Sequence, residues 1–220
     1  MTIDVDGEST SAVLDPASEE KGRALFVCAH GAGGNMSDRG MLATSRVLRE
    51  RGFDVVRFNF LYKEKGSGRP DPMPRLQATT LAVVEHYRRE RNPDCLIIGG
   101  RSMGGRAASM MAAEGFKSDG LLLLAYPLHP AGQPEKLRDA HLPRITMPVL
   151  CINGTRDALC DPALMKRALT TVRAPWTMHW IEGADHSFHV LKSSGRTDAQ
   201  VLEEVGDASQ TWISTLVPAR

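Results

Sequence analysis

The chain has 220 residues, 42% hydrophobic and 24% charged, with 27 basic and 26 acidic side chains for a formal net charge of +1. That length suits one α/β domain spanning 1–220, and the near-zero charge excludes the electrostatic footprint of a nucleic-acid or anionic-membrane binder. No apolar run reaches the 18 or more residues of a membrane span, and Met1-Thr2-Ile3-Asp4-Val5-Asp6 lacks the basic start and apolar stretch of a secretion signal, so a soluble, cytoplasmic protein is expected.

In chain order, residues 1–16 read as an antiparallel hairpin at a sheet edge, turning near Asp6-Gly7. Apolar runs stand at 24–30, 54–58, 95–99, 120–126 and 149–153, and four of the runs are nearly continuous hydrophobes, as expected for parallel strands covered on both faces. A sixth run, 176–181, alternates more and belongs nearer an edge. Helical patterns fill 38–52, 74–92, 103–115, 161–172 and 198–216. Arg51-Gly52 supplies a left-handed stop for the first, Asn92-Pro93 ends the second, and Asp161-Pro162 caps and starts the fourth. The stretch 63–74, rich in Gly, Pro and charge, reads as a surface loop. Strand and helix alternate throughout, which predicts a three-layer α/β domain with a mostly parallel central sheet. Cys28, Cys95 and Cys151 lie in strand patterns and Cys160 in a polar loop; no C-x-x-C pair exists, so free, non-catalytic thiols are expected and neither a zinc ribbon nor a redox dithiol.

Gly100-Arg101-Ser102-Met103-Gly104 joins an apolar strand to a helix-forming segment and matches the G-x-S-x-G nucleophile elbow. A serine on such a sharp turn takes a strained backbone, and glycines at 100 and 104 remove side chains that would collide. The hydroxyl then projects at a helix N-terminus, where N–H groups favour developing negative charge. His30-Gly31-Ala32-Gly33-Gly34, after the first long strand, reads as the other half of an oxyanion hole. Its donor is the Ala32 or Gly31 amide, with the Met103 amide as the second. A phosphate-cradling reading of that turn fails, because Met36 stands at the third glycine position of G-x-G-x-x-G and no Walker A lysine is present. His30 itself reads as a support for the turn.

A nucleophilic serine needs a base, and the base needs an orienting carboxylate. Asp157 follows a strand end, and His186 sits in Gly183-Ala184-Asp185-His186-Ser187-Phe188 after the last strand. Asp161 is the second choice of acid, though better placed as a helix cap. His189 is the second choice of base, and Asp185 adjoins His186 too closely to grip its ring. His86, His141 and His179 read as surface or packed residues.

Together these segments resemble the α/β-hydrolase superfamily, in the order Ser, Asp, His known for that fold. The resemblance runs from about residue 24 to the C-terminus. More narrowly, through Tyr126-Pro127-Leu128-His129-Pro130, it is similar to small lidless bacterial serine hydrolases. It implies a Ser102–His186–Asp157 triad and substrate contacts from Gly31, Tyr126 and His129, with no metal or organic cofactor. Only about 20 residues separate Tyr126 from Pro148, room for a loop and one short helix near 135–141 but not for a cap. The loops 63–74 and 128–133 are expected to line an open pocket. With aromatics at 5%, small or extended, partly polar esters or thioesters fit better than triglycerides. An amidase, peptidase or perhydrolase remains open on the same triad. Related domains in eukaryotic chromatin-associated and testis-expressed proteins keep open a non-catalytic interaction module.

Overall fold

The apolar runs form the middle of one eight-stranded sheet. The computed structural model describes residues 1–18 and 24–217. Its strands are β1 (Thr2–Val5), β2 (Glu8–Asp15), β3 (Ala24–Ala29), β4 (Phe53–Phe58), β5 (Leu96–Arg101), β6 (Gly120–Leu124), β7 (Val149–Gly154) and β8 (Trp176–Ile181). Their spatial order is β1-β2-β4-β3-β5-β6-β7-β8. β2 is antiparallel to β1 and β4, and all pairs from β4 through β8 are parallel. The N-terminal hairpin turns at Asp6 and Gly7, both with positive φ (54° and 83°), and the alternating run at 176–181 is the far edge strand.

Successive residues of each strand feed opposite sides. Phe26 and Cys28 meet Met41, Val47 and Leu48 of α1 (Arg39–Arg49) and Val201, Val205 and Trp212 of α6 (Asp198–Leu216). Leu25, Val27 and Ala29 meet Val83, Val84 and Tyr87 of a long helix, Met73–Arg91, and Ala107, Ala108 and Met111 of another, Met103–Ala113. These two are α3 and α4, since the four-residue α2 (Leu61–Glu64) precedes them; α5 is Pro162–Leu169. Helices on both faces make the three layers. Leu121, Leu122, Leu123 and Leu124 are completely buried between them, and each contributes about 1.5–3 kcal/mol by leaving water.

Helix starts follow the local chemistry. Asp38 caps α1 by accepting the Met41 N–H, Asp161 caps α5 by accepting the Leu164 N–H, and Thr197 with Gln200 forms a capping box on α6. Asn92, at φ 40°, closes α3. Three helices stop two or three residues earlier than their periodicity predicts, α4 at Ala113 among them. α1 ends at Arg49, with Gly52 at φ 85° completing the turn into β4, and α5 ends at Leu169.

Two loops also differ from expectation. The segment 63–74 begins inside α2 and folds back on itself, because the Asp71 carboxylate accepts the Tyr62 N–H at 2.9 Å. It borders a cavity of its own instead of the one at Ser102. Between β6 and β7 the expected short helix at 135–141 is replaced by turns and a three-residue 3-10 helix, Leu142–Arg144. No cap domain intervenes there. All four cysteines are free and buried, Cys160 included, and burial pushes the Cys28 and Cys95 thiols up to about 12. Among the described residues no helix is long and apolar enough to cross a membrane.

Candidate active site

The elbow is built by close backbone approach. β3 and β5 pair with Ala29 opposite Gly100. A methyl group on Gly100 would lie 2.2 Å from the Ala29 oxygen, and one on Gly104 would lie 2.6 Å from the Ala29 carbonyl carbon. Only hydrogen fits at either position, so one residue of β3 explains both glycines of the motif. Ser102 between them takes φ 47° and ψ −113°, a strained conformation that costs about 1–3 kcal/mol and is held by its surroundings. Its N–H donates to the Leu124 carbonyl and its own carbonyl accepts the Arg106 N–H, both at 2.9 Å. α4 begins at the very next residue.

Asp157 and His186, the expected acid and base, arrive from the ends of β7 and β8. After Gly154 the chain turns, with the Thr155 and Arg156 N–H groups donating to Ile181 and Ala184 carbonyls, which ties the acid turn to the base loop. That loop is shaped by Asp185, whose carboxylate accepts the N–H groups of Ser187 and His189, and is anchored by the buried ring of Phe188. The result is a continuous chain of hydrogen bonds. The Ser102 hydroxyl meets His186 Nε2 at 2.9 Å, and His186 Nδ1 meets the Asp157 oxygens at 2.9 and 2.8 Å. The Asp157 side chain is fully buried, whereas that of His186 is 29% exposed.

Asp157 is itself held. Its Oδ1 accepts the Leu159 N–H at 2.8 Å and its Oδ2 accepts from Asn153 Nδ2 at 3.1 Å. Asn153, completely buried at the end of β7, also bonds both the N–H and the carbonyl of Tyr126. His30 supports the neighbouring turn as expected. Its Nδ1 donates to the Gly31 carbonyl at 2.7 Å and its Nε2 accepts the Phe60 N–H at 3.2 Å. Burial holds this imidazole below its ordinary pKa, in keeping with the neutral form those two bonds require.

A cavity of about 530 Å³ opens over Ser102 and His186, walled by Gly31, Ala32, Asp38, Arg101 and Leu159. A methyl on Gly31 would sit 3.5 Å from the Ser102 β-carbon, so the glycine turn lies directly beside the hydroxyl. Met103 opens α4, whose first N–H groups have no partner within the helix.

Other expected residues fall elsewhere. Tyr126 and His129, expected to touch substrate, do not line this cavity. Tyr126 is fully buried with its hydroxyl donating to the Arg138 carbonyl, and His129 turns inward to accept the Asp161 N–H at 3.2 Å. The loop 128–133 is thereby pinned as support for the acid turn, and Leu159 and Ser187 line the cavity in its place. Asp161 caps α5 and His189 pairs on the surface with Asp198 at 2.9 Å, so neither second choice reaches the serine. His86 and His179 pair with Glu90 and Glu204, and His141 packs against Ser109. Arg101, which lines the cavity, and Asn153, which bonds Asp157, carry no expectation from the sequence although both lie in segments that its motifs single out.

Residues 22–214 match the model of the alpha/beta hydrolase domain. The chain belongs to that family. A stretch of 93 residues is 36% identical to the uncharacterized protein YfhR of Escherichia coli O157:H7, covering 42% of this chain and only 31% of that protein. A serine hydrolase without a lid from Xanthomonas campestris superposes with a TM-score of 0.77 at 25% identity, over 100% of this chain and 95% of the other. A serine hydrolase homologue from Coxiella burnetii gives 0.77 at 20% identity over 94% and 95%, a likeness of fold alone.

Proposed function

We propose that this α/β-hydrolase chain acts as one domain and is a serine hydrolase that cleaves small carboxylic esters or thioesters through an acyl-enzyme. The observation that carries the reading is the unbroken Ser102–His186–Asp157 hydrogen-bond chain at the mouth of an uncapped cavity. Ser102 Oγ attacks the substrate carbonyl while its proton passes to His186 Nε2. The buried Asp157 carboxylate fixes the ring through Nδ1 and stabilises the imidazolium that forms. Charge gathering on the former carbonyl oxygen is received by the Ala32 and Met103 amides, the latter strengthened by the N-terminal end of α4.

Collapse of the tetrahedral intermediate expels the alcohol or thiol, which takes the proton from His186. Water then attacks the acyl-serine by the same route in reverse, giving the carboxylic acid and free Ser102. Arg101 and Asp38 make one wall of the cavity polar, and no cap supplies a long apolar channel. That favours short or partly polar acyl groups. Ser102→Ala tests the reading: it should abolish p-nitrophenyl acetate turnover, a loss on the order of 10⁶ in kcat, while leaving the thermal transition in place. Turnover that survives the substitution overturns it.

A further inference from the structure

Arg101 precedes the nucleophile in β5 and shares its cavity, yet its charge has little to hold. Among the described residues no carboxylate forms an ion pair with it. The guanidinium's one hydrogen bond among them is a long one, from Nη2 to the His186 carbonyl at 3.4 Å, supplemented by its position 5.4 Å from the Phe188 ring centre. A guanidinium carries five N–H donors, so most of this one's capacity is unused. Burial holds the group below its ordinary pKa, the mark of a cation partly stripped of water. An apolar side chain would pack against Phe188 without the cost of partly desolvating a charge. The carboxylate whose charge acts on it most, Asp38, ahead of Asp185 and Asp157, is committed elsewhere: one oxygen accepts the Met41 N–H at 2.8 Å and the other the Asn35 N–H at 3.2 Å. It sits on the positive end of α1, which offsets part of its charge. The guanidinium packs directly against Gly40, where a methyl would lie 2.6 Å from Nη1, so only glycine leaves room for it there.

We propose that the Arg101 guanidinium is a subsite for a carboxylate carried by the ester that Ser102 cleaves. This rests on the serine-hydrolase reading above and narrows it to half-esters of diacids or esters of hydroxy acids. The planar fork of arginine matches a carboxylate with two parallel hydrogen bonds. A cavity of about 530 Å³ holds such a group and the scissile carbonyl together.

The test compares charged with neutral esters of similar size: mono-p-nitrophenyl glutarate against p-nitrophenyl hexanoate for an acid on the acyl side, and 4-acetoxybenzoate against phenyl acetate for the alcohol side. Wild type should favour the charged member of at least one pair in kcat/KM. Arg101→Met should lower that ratio tenfold to a hundredfold, the range of a charge-assisted hydrogen bond, and Arg101→Lys should restore part of it. If the ratio is unchanged in Arg101→Met while both rates fall together, the arginine only props the His186 loop and the proposal fails. It fails equally if wild type prefers the neutral member of both pairs. Labelling by a fluorophosphonate, read on wild type in parallel, separates the two levels. A labelled Ser102 without charge preference overturns the subsite alone, and an unlabelled Ser102 overturns the hydrolase reading beneath it.

Discussion

Asn153→Ala is the substitution that most sharply probes how the candidate site is held. The Asn153 side chain is completely buried and makes four hydrogen bonds: its Oδ1 accepts the Tyr126 N–H at 3.0 Å and the Cys151 S–H at 3.3 Å, and its Nδ2 donates to the Tyr126 carbonyl and to Asp157 Oδ2, both at 3.1 Å. Alanine leaves the buried Tyr126 N–H and carbonyl unpaired, at about 1–3 kcal/mol each, and removes one partner of a buried carboxylate. Water entering the vacated space would recover part of that, so the loss should come to roughly 3–5 kcal/mol, a large fraction of the ~5–15 kcal/mol that typically holds a domain together. For a chain of this size that corresponds to a fall in Tm of about 6–20 °C. Asp157 keeps the Leu159 N–H and His186, so ester turnover should fall on the order of 10- to 100-fold, well short of the ~10⁴ expected for losing the carboxylate. Calorimetry and p-nitrophenyl acetate kinetics on the same preparation check both numbers. A Tm within 2 °C of wild type would refute the claim that Asn153 bridges the Tyr126 backbone to the acid.

Three further outcomes follow from particular contacts. Asp157→Asn should leave the fold intact and lower kcat about 10⁴-fold, since the amide favours the wrong imidazole tautomer; a loss under tenfold would move the acid's role elsewhere. Gly104→Ala forces a methyl to within 2.6 Å of the Ala29 backbone, and the overpacking should cost about 1–3 kcal/mol and displace Ser102; unaltered Tm and turnover would contradict the elbow geometry. His141 is held near pKa 4 by burial, reinforced by Arg106 and Arg144 and opposed by Asp139. The unfolded chain takes up that proton first, so the resulting stability is whole above pH 6.5 and disappears as pH falls toward 4. Urea unfolding at pH 7 and pH 4 should show a His141→Gln variant losing roughly 2–3 kcal/mol less than wild type over that interval; equal losses would rule out the burial effect.

The geometry of the candidate site was more legible than the surfaces around it. Ser102, Asp157 and His186 each follow a strand end, and a parallel sheet delivers such residues to one edge, so linear order foretold their meeting. The caps at Asp161 and Thr197 are equally local. Pocket walls are different. Whether Tyr126 and His129 face substrate or core depends on bonds to Arg138 and to Asp161, 32 residues past His129, and no periodicity encodes that choice. Arg101 reaches a carbonyl 85 residues away, so its motif position announced the serine beside it and nothing of its own surroundings. Cys160 lies in a polar stretch as expected, yet the turn after Asp157 folds it inward, its N–H bonded to the Asp157 carbonyl.

The central claim is that Ser102 is a nucleophile activated by His186. Intact-mass measurement after incubation with a fluorophosphonate tests it most directly. Wild type should gain a single adduct mapped to Ser102, Ser102→Ala should gain none, and His186→Ala should react far more slowly while still folded. An adduct of equal yield in Ser102→Ala, or no adduct on folded wild type, would contradict it.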